Sequence, residues 1–446
     1  MAEHRRGANL PSIGGFNRTV VLDAVRRSPD GLSRVELAAR TGLSAQTVSN
    51  VTRFLIEAGM IVESGTVVSG RGKHCTILRL EPGSRYAVGV HVDPAVVTYV
   101  LLDLAGTVVA ASTTSTPTAD DPSEVVRTIA SAVDGLVADA GVAVDSVLGV
   151  GIASPGPIDV EAGIVVDPPF LPRWRDVPLR DALAEATGYP VLLEKDVTAA
   201  AVGEMFLAGE SSARNFAFVY FGTGFGVGLV VDHEPVRGVG SNAGDAGHIM
   251  VDQGSLAGTP DGSGSRGEVG AAVAPDRLVR VARSRGLALS GGGAVAEADA
   301  GADATDATDA TDAADATAAT DATDAADVDA VNAAWDELAA AIADGDDTAV
   351  TLAADAGTVM GNAVVLIVNL LDIDRVVFGG PFWSRIASAA LPAARTAIVG
   401  SPLLVPKHAV QVVESDRGAD VAAVGAACLV LDAALSPRAS TLLIRR

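Results

Sequence analysis

Thiols and aromatic rings are scarce in this chain. Two cysteines, Cys75 and Cys428, stand far apart in 446 residues, which excludes a disulfide framework and suits a reducing compartment. Aromatic residues make up 4% of the sequence, so the core must be built from Val, Leu, Ile and Ala, which the 49% hydrophobic content supplies. No uninterrupted apolar run reaches the ~20 residues of a bilayer-spanning helix. The opening MAEHRRGANL is basic but has no apolar stretch behind it, so a secretory signal is not expected. A cytoplasmic protein without a membrane partner is the expectation. The length predicts two or three domains.

Bases are also in deficit, at 32 Lys+Arg against 55 Asp+Glu for a net charge of −23. The deficit is uneven. Residues 1–80 carry 11 bases against 6 acids, a net of +5, which leaves −28 for the remainder. A basic head on an acidic body lets one face approach DNA while the body is repelled. Residues 17–60 predict three short helices. Asn17 caps the first, with Val20, Val21, Ala24 and Val25 on one face and Ser28-Pro29 at its end. Ser33 and Glu36 form a capping box that opens a second helix through Arg40. Thr41-Gly42-Leu43-Ser44 is a tight turn, and Ser44 caps a third helix that Gly59 closes. Two helices joined by such a turn are a helix-turn-helix signature. Val48, Val51 and Leu55 share the core face of the third helix. Ser44, Gln46, Thr47, Ser49, Asn50 and Arg53 remain to read base edges or hold phosphates. Residues 61–80 predict two strands around a Gly-rich tip with Arg71 and Lys73, the wing of a winged helix-turn-helix.

The body alternates strand and helix. Strands are expected across 86–110 with turns near Asp93-Pro94 and Ala105-Gly106. A helix at 122–140 and a buried strand at Val147–Ala153 follow. Next come a helix at Leu179–Thr187, a strand at Val191–Glu194, and a helix from about Thr198 to Glu204. Phe218–Val251 reads as a strand–turn–strand with glycines at 222, 224, 226 and 228, then a Gly-rich loop ending in Asp245 and His248. Alternate glycines bare backbone N–H groups and admit a phosphate or another backbone. A helix is expected over 275–285. Residues 295–329 are nearly all Ala, Asp and Thr. From Glu297 to Asp329 they hold one Glu and ten Asp with no base, so a flexible insert is expected. A helix resumes near Ala330, breaks near Gly345 and runs toward Asp355. Thr358–Leu371 is a further buried helix, Arg375–Phe378 and Val410–Glu414 are strands, and Val421–Leu435 is a small-residue helix.

The order and spacing of LSRVELAARTGLSAQTVSNVTRFLIEAGMIVE, GVGIASPGPID, PVLLEKDVTAAAVGE, FGTGFGVGLV and AGDAGHIMV resemble the ROK family of repressors, open reading frames and sugar kinases. The likeness is greatest to its repressor branch, and it covers nearly all of residues 15–435 apart from the insert. The resemblance implies an α/β, actin-like ATPase fold of the sugar-kinase and Hsp70 type. It is two-lobed and preceded by an all-α or winged helix-turn-helix domain. Expected boundaries are 1–80 for the DNA-binding domain, 81–207 for the first lobe, and 208–446 for the second, whose C-terminal helix returns to the first.

Departures from the family pattern are specific. The first phosphate hairpin of the kinases carries an Asp followed by Gly-Gly-Thr. Here His91 stands at the Asp position, and Asp93-Pro94 replaces the glycines. Imidazole cannot replace a hard oxygen ligand for Mg²⁺. The second hairpin, Gly222, Thr223, Gly224 and Gly226, is intact as a nucleotide or phosphate loop. The family's Asn-Asp pair is here Lys195-Asp196, where Asp196 is the catalytic base if kinase activity survives. An N-cap role for Asp196 is the structural alternative. Asp245 replaces a sugar-binding Glu, three residues before His248. The resemblance implies a sugar site of Lys195, Asp196, Asn242, Asp245 and His248. Relatives bind a structural Zn²⁺ through that His and three cysteines. Asp261, Ser263 and Glu268 occupy the cysteine positions here, so no thiolate remains and no metal or zinc is expected.

The reading this supports is a sugar-responsive repressor of carbohydrate genes. It binds a palindromic operator as a homodimer or tetramer, takes a small-molecule sugar effector, and has lost phosphotransfer. Two alternatives stand beside it. One is an ATP-dependent sugar kinase with a fused DNA-binding domain, which would need ATP and Mg²⁺. The other is a constitutive repressor with a dead sugar pocket.

Overall fold

The computed structural model describes residues 10–69, 73–94, 96–117, 122–168, 171, 174–208, 213–251, 256, 267–290 and 324–435. The N-terminal segment consists of α1 (Leu10–Arg26), β1 (Leu32–Ser33), α2 (Arg34–Thr41), α3 (Ala45–Glu57), β2 (Ile61–Ser69) and β3 (Lys73–Leu80). Its sheet has the order β1-β3-β2. Ser33 and Glu36 form the reciprocal capping box, and Gly42 ends α2 in the left-handed region at φ 69°. Ser44 caps α3 by accepting from the Thr47 N–H. These local devices fix the turn between α2 and α3, while buried Val48, Val51 and Leu55 anchor α3. One expectation is corrected. α1 begins at Leu10, so Asn17 lies inside the helix and caps nothing. Pro11 falls in the first turn, where a missing N–H costs no intrahelical bond.

The body begins with β4 (Tyr86–Val92), β5 (Val96–Asp103), β6 (Val108–Ser115), α4 (Pro122–Asp139) and β7 (Val147–Ser154). It continues through β8 (Ile158–Asp159), β9 (Ile164–Val165), α5 (Leu179–Thr187), β10 (Val191–Lys195) and α6 (Asp196–Leu207). The sheet order is β10-β7-β4-β5-β6. The pairs β10–β7 and β7–β4 are parallel, and β4–β5–β6 is antiparallel. The chain then forms β11 (Phe216–Phe221), β12 (Phe225–Val231), β13 (Glu234–Pro235), α7 (Val269–Val273), α8 (Pro275–Ser284) and α9 (Asp324–Ala343). It ends with α10 (Asp347–Leu371), β14 (Arg375–Gly379), α11 (Trp383–Val399), β15 (Gln411–Glu414) and α12 (Val421–Leu435). A second five-stranded sheet has the order β13-β12-β11-β14-β15.

The described residues fall into two compact units. One lies within Met1–Phe218, Val227–Gly244 and Asp420–Arg446, the other within Val219–Gly226 and Asp245–Ala419. In the first unit, alternation along the strands sends Val88, Val90, Val92, Tyr99 and Leu101 to a core shared with α4 and α5. The opposite face carries Ala87, Val100 and Leu102, and joins a cluster with α12 and with Val21, Leu22 and Val25 of α1. The N-terminal segment and the body therefore share one continuous apolar cluster. α12 lies so close to the sheet that a Cβ on Gly89 would overlap the Ala423 carbonyl, and one on Gly151 that of Ala426.

The second unit is organised around α10. Asp346 caps it by accepting from the Thr348 and Ala349 N–H groups, both at 2.9 Å. The helix then runs unbroken to Leu371, so the expected separate helix starting at Thr358 is part of one element. Among the described residues α10 alone is long and apolar enough to cross a membrane, yet 61% of its apolar window is buried. Phe221, Trp335 and Phe382 pack edge to face or tilted, with centroids 5.0–6.2 Å apart. α9 starts at Asp324 rather than near Ala330. The rest of the expected insert, 295–323, lies outside the described residues. α11 has no counterpart among the sequence expectations, because Pro392 interrupts its pattern.

Candidate nucleic-acid interface and effector site

On α3 the core side chains leave Gln46, Asn50 and Arg53 exposed on one stripe, with Thr47 and Ser49 half-buried. Spacings of four and three residues bring these side chains together. Gln46 Nε2 donates to Asn50 Oδ1 at 3.2 Å, and Arg53 donates to the same oxygen at 2.8 Å. The Ser44 and Thr47 hydroxyls meet at 2.9 Å in the first turn. Arg18 of α1 stacks its guanidinium over Phe54, 3.8 Å from the ring centroid. Arg34 ties α3 to the hairpin by donating to Thr52 Oγ1 at 3.2 Å and pairing with Glu63 at 2.9 Å. β2 and β3 pair out to Ser69 opposite Lys73. This places Lys73 at the tip of the hairpin, while Arg71 lies outside the described residues.

The parallel strands β4, β7 and β10 end together, and residues that could meet a ligand collect beyond their carboxyl ends. Registers place Thr98, His91, Ala153 and Glu194 side by side across four strands. His91 is 5% exposed, and burial pushes its pKa down to about 4. It is a neutral imidazole at pH 7. Just beyond it the hairpin is closed. The Asp93 N–H donates to Val96 O at 3.1 Å, Thr116 Oγ1 donates to Asp93 O at 2.5 Å, and Pro94 has no N–H to offer. Neither the ring nor residues 93 and 94 fit a Mg-phosphate cradle. In the second hairpin the Gly222 N–H is used within the turn, donating to Gly224 O at 3.1 Å.

Lys195 and Asp196 lie at the β10–α6 junction. Lys195, not Asp196, holds the N-cap position of α6, with no side-chain cap bond. The expected alternative, an N-cap Asp196, is therefore corrected. Asp196 is the first helical residue, and its Oδ1 accepts the Val197 N–H at 2.7 Å. Asn242 is committed to the chain after β7. Its Oδ1 accepts the Ile158 N–H at 2.8 Å, and its Nδ2 donates to Ile158 O and Gly240 O, both at 2.7 Å. Lys195 Nζ donates to Asn242 O at 3.2 Å. Glu194, 4% exposed, accepts from Arg237 at 2.6 Å. The Glu194–Arg237 pair is an addition to the sequence reading. Arg237 was readable as an isolated base in the Gly-rich loop of an acidic body.

In the second unit, Asp245 is exposed. His248, with 74% of its side chain exposed, pairs through Nδ1 with Glu268 Oε1 at 3.1 Å. The segment around His248 is held by backbone bonds from Gly270 N to Gly247 O at 2.8 Å and from Val269 N to Ile249 O at 2.9 Å. Glu268 is thus brought to His248 as the family resemblance of the metal loop implied, while Asp261 and Ser263 lie outside the described residues. One imidazole, two carboxylates and a hydroxyl do not match a thiolate zinc set.

Residues 87–433 match the ROK family. The chain belongs to that family. Residues 21–62 match a winged helix-turn-helix DNA-binding family. The ROK chain is 27% identical over 246 residues to the xylose repressor of Bacillus subtilis, covering 55% of this chain and 63% of that protein. It spans little more than half the length of the curated relatives it matches. A solved ROK family transcriptional regulator, described as a homologue of an E. coli MLC protein, superposes with a TM-score of 0.69 at 21% identity, over 95% of this chain and 98% of that one. A ROK family glucokinase from Streptomyces griseus, in complex with glucose and AMPPNP, superposes with a TM-score of 0.59 at 24% identity, over 77% and 98%. The ROK fold is therefore the actin-like sugar-kinase fold, here preceded by a winged helix-turn-helix.

Proposed function

We propose that this ROK protein is a cytoplasmic, sugar-responsive transcriptional repressor that binds a palindromic operator as a homodimer and neither transfers phosphate nor holds zinc. The observation that carries the DNA-binding part is the Gln46–Asn50–Arg53 stripe, exposed on a helix whose opposite face is locked in the core. Its amide and guanidinium groups suit base edges and phosphates. Similarity to the xylose repressor supports a repressor with a sugar effector. The closed 93–94 turn and the neutral His91 support loss of phosphotransfer.

A transmission route lies within the first unit. α6 starts at Asp196, in the effector site, and ends at Leu207. Ten residues of helix separate Asp196 from Phe206, about 15 Å. Arg26 of α1 lies over the Phe206 ring at 3.8 Å and donates to Phe206 O at 2.9 Å. α6 and α12 are locked at the Gly203–Gly425 contact. A ligand that shifts the start of α6 thereby shifts α1. A cavity of about 610 Å³ where the end of α6 meets α1, lined in part by Arg26, Pro29, Leu80 and Leu207, leaves room for the movement. In a dimer reading half-sites about 34 Å apart, a small rotation of each domain lowers affinity steeply.

The test is a gel-shift titration on palindromic DNA selected in vitro by the full chain, repeated with a panel of sugars. Tight binding that one sugar releases is expected. Full-affinity binding by a chain lacking residues 1–80 would refute the assignment. The kinase reading retains Asp196 and the second Gly-rich hairpin. ADP release on any sugar would establish it.

A further inference from the structure

The cavity of about 610 Å³ at the end of α6 has the size of a small-molecule site. Its walls come from both parts of the first unit. Arg26 and Arg27 line it from the end of α1, and Arg79 from β3. Pro82, Ala105 and Leu207 line it from the body. Apart from the three arginines and Ser28, every lining residue is apolar, and none is acidic. An apolar chamber with a few charged groups is the usual make-up of a ligand pocket.

The charges in this wall are not balanced. Arg26 and Arg27 share one carboxylate, Asp23, at 2.7 and 2.8 Å. Arg79 donates through Nε to Asp30 O at 3.3 Å. Among the described residues that is its one hydrogen bond, and no carboxylate pairs with it. Both Nη groups of Arg79 therefore keep their donors, in the planar fork that binds a carboxylate through two parallel bonds. The fork is also held in place. Gly31, in the left-handed region at φ 79°, packs so close that a Cβ there would lie 2.7 Å from Arg79 Cγ. With the stem packed and Nε bonded, little side-chain entropy remains to be lost on binding.

We propose that this cavity is a second ligand site, separate from the sugar site, and that it takes a small organic acid. The acid's apolar body fills the chamber and its carboxylate pairs with Arg79. A bound acid joins β3 and the end of α1 to the body and occupies the room into which α1 would move. It therefore opposes release of the operator by sugar, a consequence that rests on the sugar-responsive reading. Linkage requires the reverse as well, so sugar weakens the acid by the same factor.

The test is calorimetry on the full chain with octanoate and 4-phenylbutyrate, their neutral amides, and acetate. Each acid is expected to bind about tenfold or more tighter than its amide and to weaken as salt rises. Acetate, which has no apolar body, should bind far more weakly than either. Arg79→Gln is expected to erase the preference for the acid and Arg79→Lys to keep part of it. Ala105→Trp narrows the chamber without changing a charge, and the Ala105 N–H can still donate to Asp103 Oδ1, so it should block acid and amide alike. Circular dichroism confirms that each variant folds. Equal binding of acid and amide, binding that survives both Arg79→Gln and Ala105→Trp, or no binding at millimolar acid overturns the site. In gel shifts, saturating acid should raise the sugar concentration that releases the operator, and an unchanged release curve overturns the coupling. If no sugar releases the operator, the repressor reading fails, while the calorimetry still decides the site.

Discussion

His91 provides a measurable pH dependence. The ring is 5% exposed, and burial lowers its pKa to about 4 in the folded protein, against ~6.5 in an unfolded chain. Between these values the unfolded state binds a proton that the folded state refuses. Stability is therefore fully present above pH ~6.5, falls as pH drops, and stops falling below pH ~4. The whole gap is worth about 3 kcal/mol, of which about 2 kcal/mol is lost by pH ~5. His91→Gln removes the titration, so its stability should fall less over the same range. Trp174 lies in the core of the unit that holds His91, while Trp335 and Trp383 are buried in the other. In a Trp335→Phe, Trp383→Phe background, urea unfolding followed by fluorescence reports the first unit alone. The comparison is of slopes with pH, so a change in baseline stability on substitution does not matter. Equal slopes for the parent and the His91→Gln protein between pH ~7.5 and ~5 would refute the argument that His91 is held neutral.

Three further outcomes are expected. Arg26→Ala removes a side chain that is 5% exposed and bonds both Asp23 and Phe206. It should cost about 2–4 kcal/mol in thermal or urea unfolding, and the sugar concentration needed to release DNA should rise, whereas an unchanged release curve would remove α6 from the route. Gly425→Ala would drive a Cβ into the Ala199 carbonyl, so a loss of about 3 kcal/mol is expected by urea unfolding. Arg53→Ala and Asn50→Ala should each weaken operator binding by about tenfold, on the scale of ~1–3 kcal/mol per specific contact. Competition gel shifts would show whether the loss is confined to the selected site.

Sequence alone determined the features that rest on local chemistry. The Ser33–Glu36 box, the Gly42 turn and the Ser44 cap are satisfied within a few residues of themselves, so the helix-turn-helix was readable directly. Buried strands such as β4 and β7 were readable because their apolar runs have no exposed alternative. The departures from the kinase pattern at His91, Asp93 and Pro94 were visible in the sequence. Tertiary structure alone decided the long-range contacts. Nothing local in Asn242 says that both its amide hydrogens go to Ile158 and Gly240, or that its carbonyl meets Lys195. Glu194 and Lys195 are adjacent in sequence, yet the pleat sends them to opposite faces. The Glu194 carboxylate finds Arg237, and the Lys195 ammonium finds the backbone carbonyl of Asn242. A helix after β10 was legible, expected from about Thr198 and found from Asp196. That its far end lies under Arg26 of α1 was not, because that contact joins residues 180 positions apart and depends on how α12 packs against the sheet.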